Sequence, residues 1–165
     1  MAATTPPGVI RREADEFSVR FERYLDYPVT RVWDAISQPA EMARWLADVS
    51  LDPRPGGTIE IRFFHADSVS RGNITRINPP TLLEYTWQEN GGPVSLVRWE
   101  LFEEGAGKSR LVLTHLKLDS EIPSFAAGWH THLDLLGQVL DGLRPSFSWD
   151  DDWWKSKLPL YPIPS

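Results

Sequence analysis

The sequence predicts an α+β domain in which an antiparallel meander is covered by one long helix near the C-terminus. Three observations predict it. Apolar and polar residues alternate through a series of short runs, compact turn signals separate those runs, and one long stretch, 128–143, carries apolar residues at helical spacing. The chain has 165 residues, enough for a single domain with a sizeable core.

Residues 1–15 are small and polar with a Pro pair, and read as a flexible N-terminal arm ahead of a domain over 16–143. Phe17, Val19 and Phe21 alternate with Ser18, Arg20 and Glu22, the pattern of a half-buried strand. Pro28 suits a first helical turn, and Val29, Val32, Trp33 and Ile36 give the following helix an apolar face. Pro39 opens a second short helix with Met42, Trp45 and Leu46. Gly56-Gly57 turns the chain into a strand carrying Ile59, Ile61 and Phe63. A hairpin loop around His65 leads to the return strand "VSRGNITRI", which "NPP" ends. The next strand places Leu83, Tyr85 and Trp87 on one face. After "ENGGP", a further strand aligns Val97, Trp99 and Leu101, and after "EEGAGKS" the last aligns Leu111, Leu113 and His115.

One face of such a sheet must be covered. The helix starting near Pro123 is the long amphipathic element that remains, with Trp129, His132, Leu133, Leu136, Val139, Leu140 and Leu143 on one stripe. His130, Asp134, Gln138 and Asp141 fall elsewhere and are expected to meet water. The tail, 144–165, holds three Trp and an acidic triplet, fits neither periodicity, and is expected to be ordered and extended.

Composition narrows the function. A net charge of −6 without a basic cluster argues against nucleic acid and anionic membranes. The absence of cysteine excludes disulfides, thiolate metal sites and cysteine nucleophiles, and fits the cytoplasm. The first ten residues lack the basic start and apolar run of a signal peptide, and no apolar stretch is long enough to span a bilayer. Eight Trp in this length suit a core or an apolar pocket.

The phrases "ERYLDYPVTRVWDAISQPAEMARWL", "RPGGTIEI", "RGNITRINPPTLLEYTW", "RLVLTH" and "GWHTHLDLL", in that order, resemble the START/Bet v 1-like (SRPBCC) superfamily, and more closely its AHSA-like branch. The resemblance covers about residues 17–143. It implies a helix-grip fold, a curved sheet wrapped around the last helix with a cavity between them. Many superfamily members hold apolar small molecules there, some are polyketide cyclases or dehydratases, and the namesakes of the branch act as co-chaperones. No catalytic motif carries over. Two features depart from the pattern: members often have paired Trp where this chain has Arg44-Trp45-Leu46, and the tail lies outside it.

The expected function is therefore binding of a small, mostly apolar molecule between sheet and helix, without a cofactor. Trp45, Phe63, Tyr85, Trp87, Trp99 and Trp129 would supply apolar contact, and His115 and His132 would orient a polar group. Bulky rings facing one helix either pack solid or leave a gap of ligand size, ~300–1,000 Å³. Two alternatives stand beside this. A cyclase- or dehydratase-like enzyme would use His115 or His132 as a base, although no carboxylate or nucleophile is visibly paired with either, and a core His bonded to a backbone carbonyl is the plainer reading of His132. A co-chaperone-like module would engage a chaperone partner, or a second copy in a homodimer, through the tail with its Asp150–Asp152 run, Trp153 and Trp154. Metal binding is not expected, because His130 and His132 point to different helix faces and His65 sits in a turn. Arg23 shares a face with Val19 and Phe21, where it either snorkels at the sheet edge, the favoured reading, or anchors a buried carboxylate.

Overall fold

The computed structural model describes residues 5–63, 68–119, 122–145 and 153–162. An N-terminal hairpin, β1 (Val9–Glu13) and β2 (Glu16–Leu25), leads to α1 (Val29–Ser37) and α2 (Pro39–Met42). Six strands follow: β3 (Asp48–Leu51), β4 (Thr58–Arg62), β5 (Val69–Asn78), β6 (Leu82–Glu89), β7 (Ser95–Glu103) and β8 (Ser109–Leu118). The chain then forms α3 (Ile122–Leu140) and, further on, a 3-10 helix over Trp153–Leu160.

The strands form one curved antiparallel sheet in the order β1-β2-β8-β7-β6-β5-β4-β3. The topology follows from the connections. The two Pro-led helices carry the chain from β2 to the far edge, and a meander returns it strand by strand until β8 docks against β2. Alternation then sorts the faces. Val19, Phe21, Tyr85, Trp87, Val97, Trp99, Leu111, Leu113 and His115 are buried on one face, where Phe21, Trp87, Trp99 and His115 meet rings of α3. On the other face Arg98 holds Glu84 at 2.6 Å, and Arg62 holds Glu60 at 2.7 Å. Two short helices, an antiparallel meander and a long last helix in the concavity make the helix-grip fold that the sequence predicts.

Three differences have physical causes. The stretch expected as a flexible arm contains β1, which pairs with β2 from Val9↔Arg20 to Glu13↔Glu16, and its mostly exposed residues give no alternation to read. The expected second helix stops at Met42, and β3 begins at Asp48. The apolar run between them, Trp45-Leu46-Ala47, is buried and too short for periodicity to decide its conformation. The tail coils into the 3-10 helix rather than extending, and Tyr161 behind it is buried. The hairpin loop expected at His65, the Asp150–Asp152 run and the side chains of Trp153 and Trp154 lie outside the described residues.

Candidate functional site

The side chains expected to line the hollow converge on one cluster. Trp45, in the turn after α2, donates from Nε1 to the Ala35 carbonyl of α1 at 2.8 Å, and its ring meets Trp99 of β7 edge-on at 5.9 Å between centroids. Trp99 donates to the Tyr85 hydroxyl at 3.1 Å and meets Trp129 of α3 at 5.6 Å. Trp129 meets Trp87 of β6 at 5.5 Å, and Trp87 meets Phe63 at 6.1 Å. Phe63 lies 6.0 Å from the His132 ring, whose Nδ1 donates to the Trp45 carbonyl at 2.9 Å and closes the circuit. Edge-to-face geometry suits the quadrupoles of the rings, so the cluster coheres beyond its area burial. The rings pack against one another across the hollow.

His115 sits in this cluster, fully buried rather than at an exposed strand end. Trp129 Nε1–H donates to its Nδ1 at 2.9 Å. That bond fixes the ring proton on Nε2, which donates to Ser95 Oγ at 2.7 Å, and Ser95 in turn donates to the Trp87 carbonyl at 3.4 Å. Burial pushes the His115 imidazole down to about 3, so it is neutral at ordinary pH. Burial also pushes His132 down to about 4, with the Trp45 carbonyl acting in the opposite direction. His115 therefore serves as a hydrogen-bonded spacer between helix and sheet, with both nitrogens engaged.

Two members of the cluster were not among the expected residues. Phe125 lies 4.9 Å from His115 and 6.5 Å from Trp87, and Ser95 accepts the hydrogen bond from His115 Nε2–H. Both carried a signal. Phe125 is one helical turn before Trp129, and Ser95 has the strand parity of Val97 and Trp99. Phe63 and Phe125 are half-buried and form the rim of the cluster.

His130, expected to meet water, is fully buried. The cover comes from both ends of the chain. Gly8 N–H donates to the Tyr161 hydroxyl at 2.7 Å, which donates to His130 Nδ1 at 2.8 Å. His130 Nε2–H donates to Thr5 at 2.8 Å, and Thr5 donates to Asp134 at 2.7 Å. Burial, with help from Lys157 and Arg23, pushes His130 down to about 4 against the pull of Asp134. Arg23, expected at the sheet edge, is 8% exposed between β2 and α3. Among the described residues no three His, Asp or Glu side chains gather as a metal set, and no helix is long and apolar enough to cross a membrane. A groove of about 520 Å³ over β3–β5 is lined by Asp52, Glu60, Arg62 and Arg71, three of which already pair with one another.

With this geometry in place, comparisons with known proteins give a consistent picture. The family described as "Activator of Hsp90 ATPase homolog 1-like protein" matches residues 26–141. A protein of Bordetella parapertussis, encoded by BPP1335, is 32% identical, with 99% of this chain and 94% of that chain covered and a TM-score of 0.71. CalU16 from Micromonospora echinospora is 25% identical, with 92% and 91% covered and a TM-score of 0.73. DynU16, from the dynemicin biosynthetic locus, shares the fold at 24% identity and a TM-score of 0.71, with 79% of this chain and 49% of that chain covered. No curated protein sequence matches.

Proposed function

The chain belongs to the Activator of Hsp90 ATPase homolog 1-like family of SRPBCC proteins, and from that membership we propose that it binds a small, mostly apolar, aromatic molecule between the concave sheet and α3. The observation that carries this reading is the continuity of the ring cluster. It runs from the buried Trp45 through Trp99, Trp129 and Trp87 to the half-buried Phe63 and Phe125. A ligand enters by displacing the rim rings and takes over their contacts with Trp87 and His115. Burying roughly 250 Å² of apolar ligand surface at about 25 cal/mol per Å² contributes about 6 kcal/mol before ordering and displacement costs, so the dissociation constant is no tighter than tens of micromolar.

A base-catalysed reaction at His115 is disfavoured by its own hydrogen bonds, since its lone pair is taken by Trp129 and its proton by Ser95. The chaperone-partner reading has less tail to draw on, because Tyr161 is spent on the chain's own α3.

Titration calorimetry with 2-naphthol at several temperatures tests the proposal. The expected result is saturable one-to-one binding with a negative heat-capacity change, weakened at least tenfold by Trp87→Ala. Absence of binding, or binding indifferent to that substitution in a folded variant, overturns it.

A further inference from the structure

Away from the ring cluster, the seam between β2, α3 and the C-terminal 3-10 helix holds a charge whose hydrogen bonds are incomplete. Arg23 stands on β2 opposite Leu111 of β8, on the face that meets α3. It is 8% exposed. Its Nη1 donates to the Glu22 carbonyl at 3.0 Å, and its guanidinium lies 5.6 Å from the Phe21 ring centroid. Nε and Nη2 are fully buried and have no acceptor among the described residues. These two nitrogens share one edge of the guanidinium, where their N–H bonds run parallel and match the two oxygens of a carboxylate.

Burying a charged donor without an acceptor costs several kcal/mol in general. Burial lowers the affinity of Arg23 for its proton, but a guanidinium starts so far above neutrality that it keeps its charge. The neighbouring groups do not absorb it. Asp134 attracts Arg23 through space, but its oxygens are held by Thr5 at 2.7 Å and by Lys157 at 3.3 Å. With His130 neutral, Arg23 and Lys157 face one carboxylate, so among the described residues the seam carries an excess of one positive charge. A monoanion balances it, while a phosphate dianion overshoots. A second buried group points the same way. Ser109 is 1% exposed, its hydroxyl has no partner among the described residues, and it is the diagonal neighbour of Arg23 on the same sheet face, a separation of about 7–8 Å in a regular sheet.

We propose that Arg23 anchors a carboxylate-binding site at this seam, the two oxygens of a small carboxylic acid accepting from Nε and Nη2 beside Phe21 and Tyr161. The site stands on different residues from the ring cluster and does not depend on it.

The test uses the full chain with benzoate, its uncharged isostere benzamide, and inorganic phosphate, read by thermal shift and by the arginine Nε–H NMR signal that Arg23→Lys removes. Benzoate is expected to raise the Tm and move the Arg23 signal, and benzamide to do neither. Arg23→Met is expected to lose the benzoate response, and in carboxylate-free buffer to melt no lower than the parent, because it removes a buried charge. Should that variant fail to fold, Arg23→Lys carries the test: it keeps the charge, loses the fork, and is expected to bind benzoate at least tenfold more weakly. An equal response to benzamide, an unchanged benzoate response in either folded variant, or a response to phosphate alone overturns the carboxylate site. Tryptophan indole N–H signals, recorded in the same spectra, report the ring cluster separately, so failure of one site is visible without failure of the other.

Discussion

At the scale of the residue, the histidines define the chemistry of the interior. His115, His130 and His132 are all buried and neutral, pushed down to about 3, about 4 and about 4. Each takes up a proton near its ordinary value of about 6.5 once the chain unfolds. Because the folded state binds fewer protons, stability is full above about pH 6.5 and falls as the pH drops toward the folded values. Each imidazole removes on the order of 1–2 kcal/mol by pH 5. Urea unfolding between pH 7.5 and 4.5 should therefore show a midpoint that is flat near neutrality and drops steeply below about pH 6.5, with up to three protons taken up. A midpoint unchanged down to pH 5 would mean that the imidazoles are not enclosed. The stripe position of His132 was legible in the sequence. The burial of His130 was not, because its cover comes from Thr5 and Tyr161, far away in the chain and outside any local pattern.

Elements show the same division between local and distant causes. Strands β4 to β8 and helix α3 were legible because each buries one face against a continuous core, so alternation or helical period is written into the residues. β1 and β3 were not, since they are edge strands with little burial. The two chain ends act together on α3. Gly8 brings the arm so close to β2 that a Cβ would stand 2.6 Å from the Phe21 ring, and its N–H reaches Tyr161 at 2.7 Å. Helix α3 is thus buried on its outer side as well as against the sheet. Tyr161→Phe keeps the ring but leaves Gly8 N–H and His130 Nδ1 without their shared hydroxyl, and is expected to cost about 1–3 kcal/mol. Denaturant unfolding measures this, and hydrogen exchange should show the loss concentrated in β1 and the outer face of α3. An unchanged stability would show that the ends do not clamp the helix.

Over the whole molecule, the order of elements was enough to lay α3 against one sheet face, because a Pro-led helix pair followed by a meander leaves one face for one long helix to cover, and the family resemblance supplied the curvature of the sheet around it. What the order left open was how the hollow is filled, since that depends on the relative tilt of rings from β6, β7 and α3 and from the turns after α2 and β4. The tryptophan rings and Phe125 meet edge-on at 5.5–6.5 Å, and Phe63 meets Trp87 at a tilt at 6.1 Å. On the proposed function, ligand binding and the stability of the empty protein draw on the same contacts, and whatever enters must replace them. The measurement closest to that claim is the indole N–H spectrum of the full chain during titration with 2-naphthol. Saturable shifts of the Trp87, Trp99 and Trp129 signals at one common affinity are predicted. Unmoved indole signals, with changes confined to the outer groove near Arg62 and Arg71, would contradict it.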